Sequence, residues 1–105
     1  MGNAVRTRLA GTKQPEIQKN VRTYGGPGLC AYQMVREPEN EYDPNAIRVA
    51  LFGQFTIGYI PKALAVDLAE QMDGGKQLEA EFVRLNIAPG EETIGITVDV
   101  VEVAV

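Results

Sequence analysis

Between Met34 and Val49 the chain changes character twice. Apolar residues lead in, a polar run of Glu, Asn, Tyr and Asp broken by two prolines interrupts them, and apolar residues alternate again from Ile47. That order is a strand, an ordered loop and a second strand. Pro38 and Pro44 hold φ near about −65° and push Glu37 and Asp43 toward extended backbone, which makes the loop stiffer than its polarity suggests. Asp43 and Asn45 are residue types that fold back onto neighbouring backbone N–H groups. The rest of the chain has to be arranged around this loop.

Ala4 to Ala10 sets Val5, Thr7 and Leu9 against Arg6, Arg8 and Ala10, a half-buried strand with its basic side chains on the open face that Gly11 ends. Thr12 to Gly28 holds Pro15, Gly25, Gly26, Pro27 and Gly28 with little periodicity, and reads as a loop with at most one helical turn at Glu16 to Asn20. The Gly25–Gly28 run lacks the Lys-Ser/Thr ending and the following helix of a phosphate loop, so it reads as a plain turn. Leu29 to Val35 is the second strand. Asn45 to Phe52 and Phe55 to Tyr59 form a hairpin across Gly53-Gln54, with Gly58 marking a bulge or a close backbone approach. Pro61 at the first helical position, then Leu64, Ala65, Leu68, Ala69 and Met72, then Gly74-Gly75, outline a helix. Leu78 to Ile87 and Thr93 to Val103 are two further strands joined by a hairpin-like connection, and Val105 ends the chain inside or just after a strand. Six short strands and one main helix make a mainly β (α+β) fold: a small six-stranded β-barrel, OB- or SH3-like, with the helix across one opening.

A length of 105 residues suits one domain with a modest core. No apolar run approaches the ~20 residues that span a bilayer, and no hydrophobic block opens the chain, so the expectation is a soluble cytoplasmic protein. The chain has no His, no Ser and no Trp, and Cys30 is its one cysteine. Those absences remove the common nucleophile–base triads and thiolate or imidazole zinc sites, and with them whole enzyme classes. Cys30, between Leu29 and Ala31, reads as a small buried core residue. The net charge of −4 is unevenly placed. Through Arg48 seven basic residues stand against five acidic ones, whereas after it Lys62, Lys76 and Arg84 stand against nine acids. A local basic surface on an acidic protein is compatible with that asymmetry.

The string Arg36-Glu-Pro-Glu-Asn-Glu-Tyr-Asp-Pro-Asn-Ala-Ile47, followed by Ile57-Gly-Tyr-Ile-Pro-Lys-Ala-Leu-Ala65, closely resembles the core signature of the HIRAN domain. The similarity is clearest from about Gly28 to Arg84. HIRAN domains occur at the N-terminus of Swi/Snf-type fork-remodelling ATPases and as free-standing small proteins of bacteria and phages. The resemblance implies a non-catalytic module that binds single-stranded DNA with a free 3′ end, in DNA repair or replication-fork processing, with no cofactor. It places the Tyr42-Asp43 pair near the terminal nucleotide and its 3′-hydroxyl, with Asn45 and Ala46 shaping the pocket. It also matches Lys62 to a basic residue at the helix start and Tyr59 to a position held by His in some members.

Elementary chemistry supports such roles beside plainer ones. A loop-borne Tyr42 offers a face on which a base can stack, worth ~1–3 kcal/mol, and the Asp43 carboxylate can accept a sugar hydroxyl. Equally, Tyr42 can staple the loop to the barrel while Asp43 caps a turn, and Asn40 and Asn45 can serve only their own turns. Lys62 can neutralise a phosphate or stand as a solvated side chain, and Tyr59 can stack or line the barrel rim. DNA-binding members follow the first strand with a basic residue and an aromatic. Here Lys13 can stand in for the first, and no aromatic follows it. Arg36 can support a phosphate or pair with Glu37. Glu37, Glu39, Glu41 and Asp43 fit no EF-hand spacing and read as a solvated acidic loop rather than a Mg²⁺ or Ca²⁺ site. Two other readings stand beside DNA binding: a protein-interaction or regulatory module on the same fold, and a carboxylate-based metalloenzyme.

Overall fold

The computed structural model describes residues 4–28 and 30–103. Leu29, the expected start of the second strand, and Val105 lie outside the described residues. In chain order the elements are β1 (Val5–Arg8), α1 (Pro15–Tyr24), β2 (Tyr32–Arg36), β3 (Ile47–Leu51), β4 (Phe55–Tyr59), α2 (Lys62–Asp73), β5 (Leu78–Asn86) and β6 (Gly95–Glu102). All six strands join one antiparallel sheet in the order β1-β6-β5-β2-β3-β4. Its two outer strands then meet: beyond β1, Ala10 exchanges two backbone hydrogen bonds with Tyr59 of β4, at 2.7 and 2.9 Å. The sheet therefore curls into the small OB-like barrel that the strand pattern anticipates, and the join covers part of two edges otherwise open to association.

Gly58 makes that join possible. A Cβ built there would lie 2.7 Å from the Leu9 Cβ, far inside contact distance, so a side chain at this position would hold β1 away from β4. Beside it the β3–β4 register slips between Val49 and Ala50, a bulge that bends β4 toward β1. A second slip falls between Phe82 and Arg84, opposite β6. The β3–β4 turn spans Phe52 to Gln54, with Phe52 and Gly53 both at positive φ, so the turn begins one residue earlier than the Gly53-Gln54 pair suggests.

Inside the barrel Met34, Ile47, Val49, Ile57, Ile96 and Val98 form the centre of the core. Each such side chain contributes about 1.5–3 kcal/mol relative to an exposed one. Ala65, Leu68 and Ala69 press α2 against it, as the apolar spacing of that helix requires.

The segment read as a loop before β2 is largely helix. Pro15 opens α1, Glu16 lies in its first turn and Arg22 in its last, each favourable to the helix dipole. Only Ile17 and Val21 on its buried face are apolar; the others are Gln18 and Asn20. Gln18 donates to the Thr12 and Ile94 carbonyls and accepts from the Ile94 N–H, and Asn20 donates to the Thr56 carbonyl. Apolar periodicity is blind to a face held by amide side chains. Tyr24 then stacks on Phe55 of β4 with ring centroids 4.4 Å apart, tying the helix end to the sheet. Cys30, expected in the core, is exposed because β2 starts only at Tyr32.

Candidate nucleic-acid interface

The Glu37–Ala46 loop leaves β2 and returns to β3, closed at its base by the Glu37 N–H donating to the Ala46 carbonyl at 3.0 Å. Inside, Asn40 organises the turn. Its Oδ1 accepts from the Tyr42 and Asp43 N–H groups at 2.9 and 3.1 Å, and its Nδ2 donates to Glu37 Oε1 at 3.0 Å. Asp43 Oδ1 accepts from the Asn45 N–H at 2.9 Å, and the Asp43 carbonyl accepts from the Ala46 N–H. Asp43 thus makes the side-chain-to-backbone turn expected of it, and Asn40 makes another, whereas the Asn45 side chain makes no hydrogen bond among the described residues.

Two arginines fix the loop from below. Arg36 does not pair with its neighbour Glu37. Its guanidinium grips Asp73 at the end of α2 through Nε and a second nitrogen, at 2.9 and 3.1 Å, and also donates to the Ala46 and Pro44 carbonyls. That hydrogen bond holds the Asp73 carboxyl below its usual range and raises the guanidinium. Glu37 turns inward instead, where Oε2 accepts from Arg48 Nε at 3.2 Å and from the Tyr59 hydroxyl at 3.4 Å. Burial, and after it the Glu37 carboxylate, pushes the Tyr59 phenol upward. The alternating acids thus point different ways: Glu37 is half-buried on Arg48, while Glu39 and Glu41 are exposed. Among the described residues no three carboxylates or cysteines gather as a cation cage.

The expected site residues therefore separate by position. Tyr42 stands out from the braced turn with 90% of its surface exposed, and Asp43 Oδ2 has no hydrogen bond among the described residues. Asn45 is half-buried next to them, and Ala46 is buried at the loop base. Ile60 donates to the Ile47 carbonyl, which carries the start of α2, with exposed Lys62 as its first residue, beside the loop's exit. Tyr59 reaches the loop through Glu37 and lies against Gly11, where an added Cβ would be 3.6 Å from its ring. Lys13, three residues beyond the Ala10–Tyr59 join, is exposed. Lys13 and Lys62 make no ion pair among the described residues.

Thr12 and Lys13 belong to an open groove of about 380 Å³ beside the β5–β6 hairpin, lined among others by Arg8 and Arg84. Arg8 and Arg84 were not among the expected site residues. The alternation of β1 gave the only signal for Arg8, and nothing local distinguishes Arg84.

A family model for the HIRAN domain matches residues 5–102. The chain belongs to the HIRAN family. The fold agrees: the crystal structure of a protein from Lactobacillus plantarum superposes with a TM-score of 0.75 at 22% identity, covering 97% of this chain and 95% of that one. The HIRAN domain of human HLTF superposes with a TM-score of 0.62 at 23% identity, covering 95% and 74%. No curated protein matches the chain. Membership makes this HIRAN chain one of a family of DNA-binding modules, which supports nucleic-acid binding in general. No described helix is long and apolar enough to cross a membrane.

Proposed function

We propose that this HIRAN domain binds the free 3′ end of single-stranded DNA without catalysing a reaction on it, in a repair or fork-processing setting. The observation that carries the reading is the pairing, on one hydrogen-bonded turn, of an aromatic ring 90% exposed at Tyr42 with an Asp43 carboxylate that has one oxygen engaged and one open. The ring supplies a stacking face for the last base. The open carboxylate oxygen is an acceptor for the terminal hydroxyl, and it repels a terminal phosphate. Lys62 and Lys13 neutralise flanking phosphates. Asn45 and Ala46 shape the pocket floor, while Arg36 and Tyr59 act through the loop they brace.

Site variants provide the test. Tyr42→Ala removes only solvent-facing surface, so it should leave the melting temperature within about 1 °C of the parent and weaken binding of a 3′-hydroxyl oligonucleotide by the ~1–3 kcal/mol of one stacked base. Asp43→Asn should abolish the preference for a hydroxyl end over a phosphate end. Unaltered binding by both variants would refute the reading. The alternative of a protein-interaction module has no observation of its own to favour it.

A further inference from the structure

Six cations make no ion pair among the described residues: Arg8, Lys13, Lys19, Arg22, Lys62 and Arg84. Arg22 is engaged with the Glu92 carbonyl, whereas the side chains of the other five donate no hydrogen bond among the described residues. Three of those five, Arg8, Lys13 and Arg84, line the groove beside the β5–β6 hairpin, on a protein whose net charge is −4. The strand register explains the convergence. Arg8 of β1 and Arg84 of β5 both pair with Thr97 of the intervening β6, which sets their backbones about 10 Å apart across the groove. Lys13 belongs to the same lining, in which Glu91 is the one carboxylate. Ile87, 69% exposed, adds an apolar surface in the same lining.

A path of neighbouring residues leads from the loop that carries Tyr42 toward the groove. Tyr59 touches the loop through Glu37 on one side and Gly11 on the other, and Gly11 leads through Thr12 to Lys13 and the groove. A polyanion with one end at Tyr42 and Asp43 would meet these cations next. Guanidinium groups on facing walls suit phosphate oxygens, which they bind through paired donors, and leave the bases unread.

We propose that this groove is a second binding segment, in which Arg8, Lys13 and Arg84 hold the phosphates of the DNA strand upstream of its 3′-terminal nucleotides. The proposal extends the end-binding reading and rests on it for the direction of the strand.

The test measures binding of 3′-hydroxyl oligothymidylates two and ten nucleotides long, with salt varied, to the parent, Arg8→Gln, Arg84→Gln and Lys19→Gln. Arg8 and Arg84 are exposed, so the variants should fold normally, as their melting temperatures will show. The parent should bind the ten-mer at least tenfold more tightly than the two-mer. Arg8→Gln and Arg84→Gln should each weaken ten-mer binding three- to tenfold and reduce the slope of log K against log salt by about 0.7, without affecting the two-mer. Lys19→Gln, on α1 outside the groove, should change neither. Equal affinity for both lengths, or the same loss in Lys19→Gln, would overturn the groove while a surviving 3′-hydroxyl preference kept the end site. Length dependence without any end preference would do the reverse.

Discussion

Asn40→Ala removes the hub of the loop. The Asn40 side chain makes three hydrogen bonds, two as acceptor from the Tyr42 and Asp43 N–H groups and one as donor to the Glu37 carboxylate. A hydrogen bond contributes about 0.5–1.5 kcal/mol net, with one to a charged acceptor at the upper end and partly exposed ones at the lower. With Asn40 half-buried, the three together come to about 2 kcal/mol, which in a domain of this size is a fall of about 10 °C in melting temperature. Asn40→Asp should fall between parent and alanine variant at neutral pH: it keeps both acceptors but loses the donor and sets a second carboxylate beside Glu37. Thermal unfolding by circular dichroism gives the stability, and amide hydrogen exchange at Tyr42 and Asp43 gives the local effect. Both amides should lose protection in Asn40→Ala, and binding of a 3′ end should weaken because Tyr42 and Asp43 are no longer pre-positioned. A melting temperature within about 1 °C of the parent, with unchanged exchange at both amides, would refute the idea that Asn40 organises the turn.

Gly58→Ala should cost about 3 kcal/mol or more, seen as a loss of soluble protein or a large drop in urea midpoint, because its Cβ would collide with Leu9 where β1 meets β4; a midpoint near the parent's would show that the join is dispensable. Asp73→Asn should destabilise in a pH-dependent way. The fold depresses the Asp73 pKa, so its stabilisation is present above the ordinary carboxylate value of about 4 and is lost as pH falls through the lowered one. The gap in urea midpoint between parent and variant should therefore be open at neutral pH and closed in strong acid, and an equal gap at both would count against the Arg36 clamp.

Much of the barrel was written locally. The β4 span, the α2 helix behind Pro61 and the β5–β6 hairpin each carry an apolar period or a turn signal that their neighbours do not override. α1 was not legible, because Gln18 and Asn20 face inward and are satisfied by carbonyls at Thr12, Ile94 and Thr56, partners no local pattern names. Ion-pair partners failed for a related reason. Arg36 and Glu37 are adjacent in sequence, yet alternation along the strand end sends one to Asp73 and the other to Arg48. Within the site, the turn-forming roles of Asn40 and Asp43 could be read from residue type, while the gathering of Arg8, Lys13 and Arg84 depends on the Thr97 register and on closure at Gly58.

Whether this domain recognises a 3′ end is decided by a fluorescence-anisotropy titration at low salt. Three labelled DNAs suffice: a single strand with a free 3′-hydroxyl, the same strand with a 3′-phosphate, and a blunt duplex. Binding should be tightest to the free 3′-hydroxyl, weakening as salt rises, and at least tenfold weaker to the 3′-phosphate strand. Equal affinity for the two single strands would contradict 3′-end recognition.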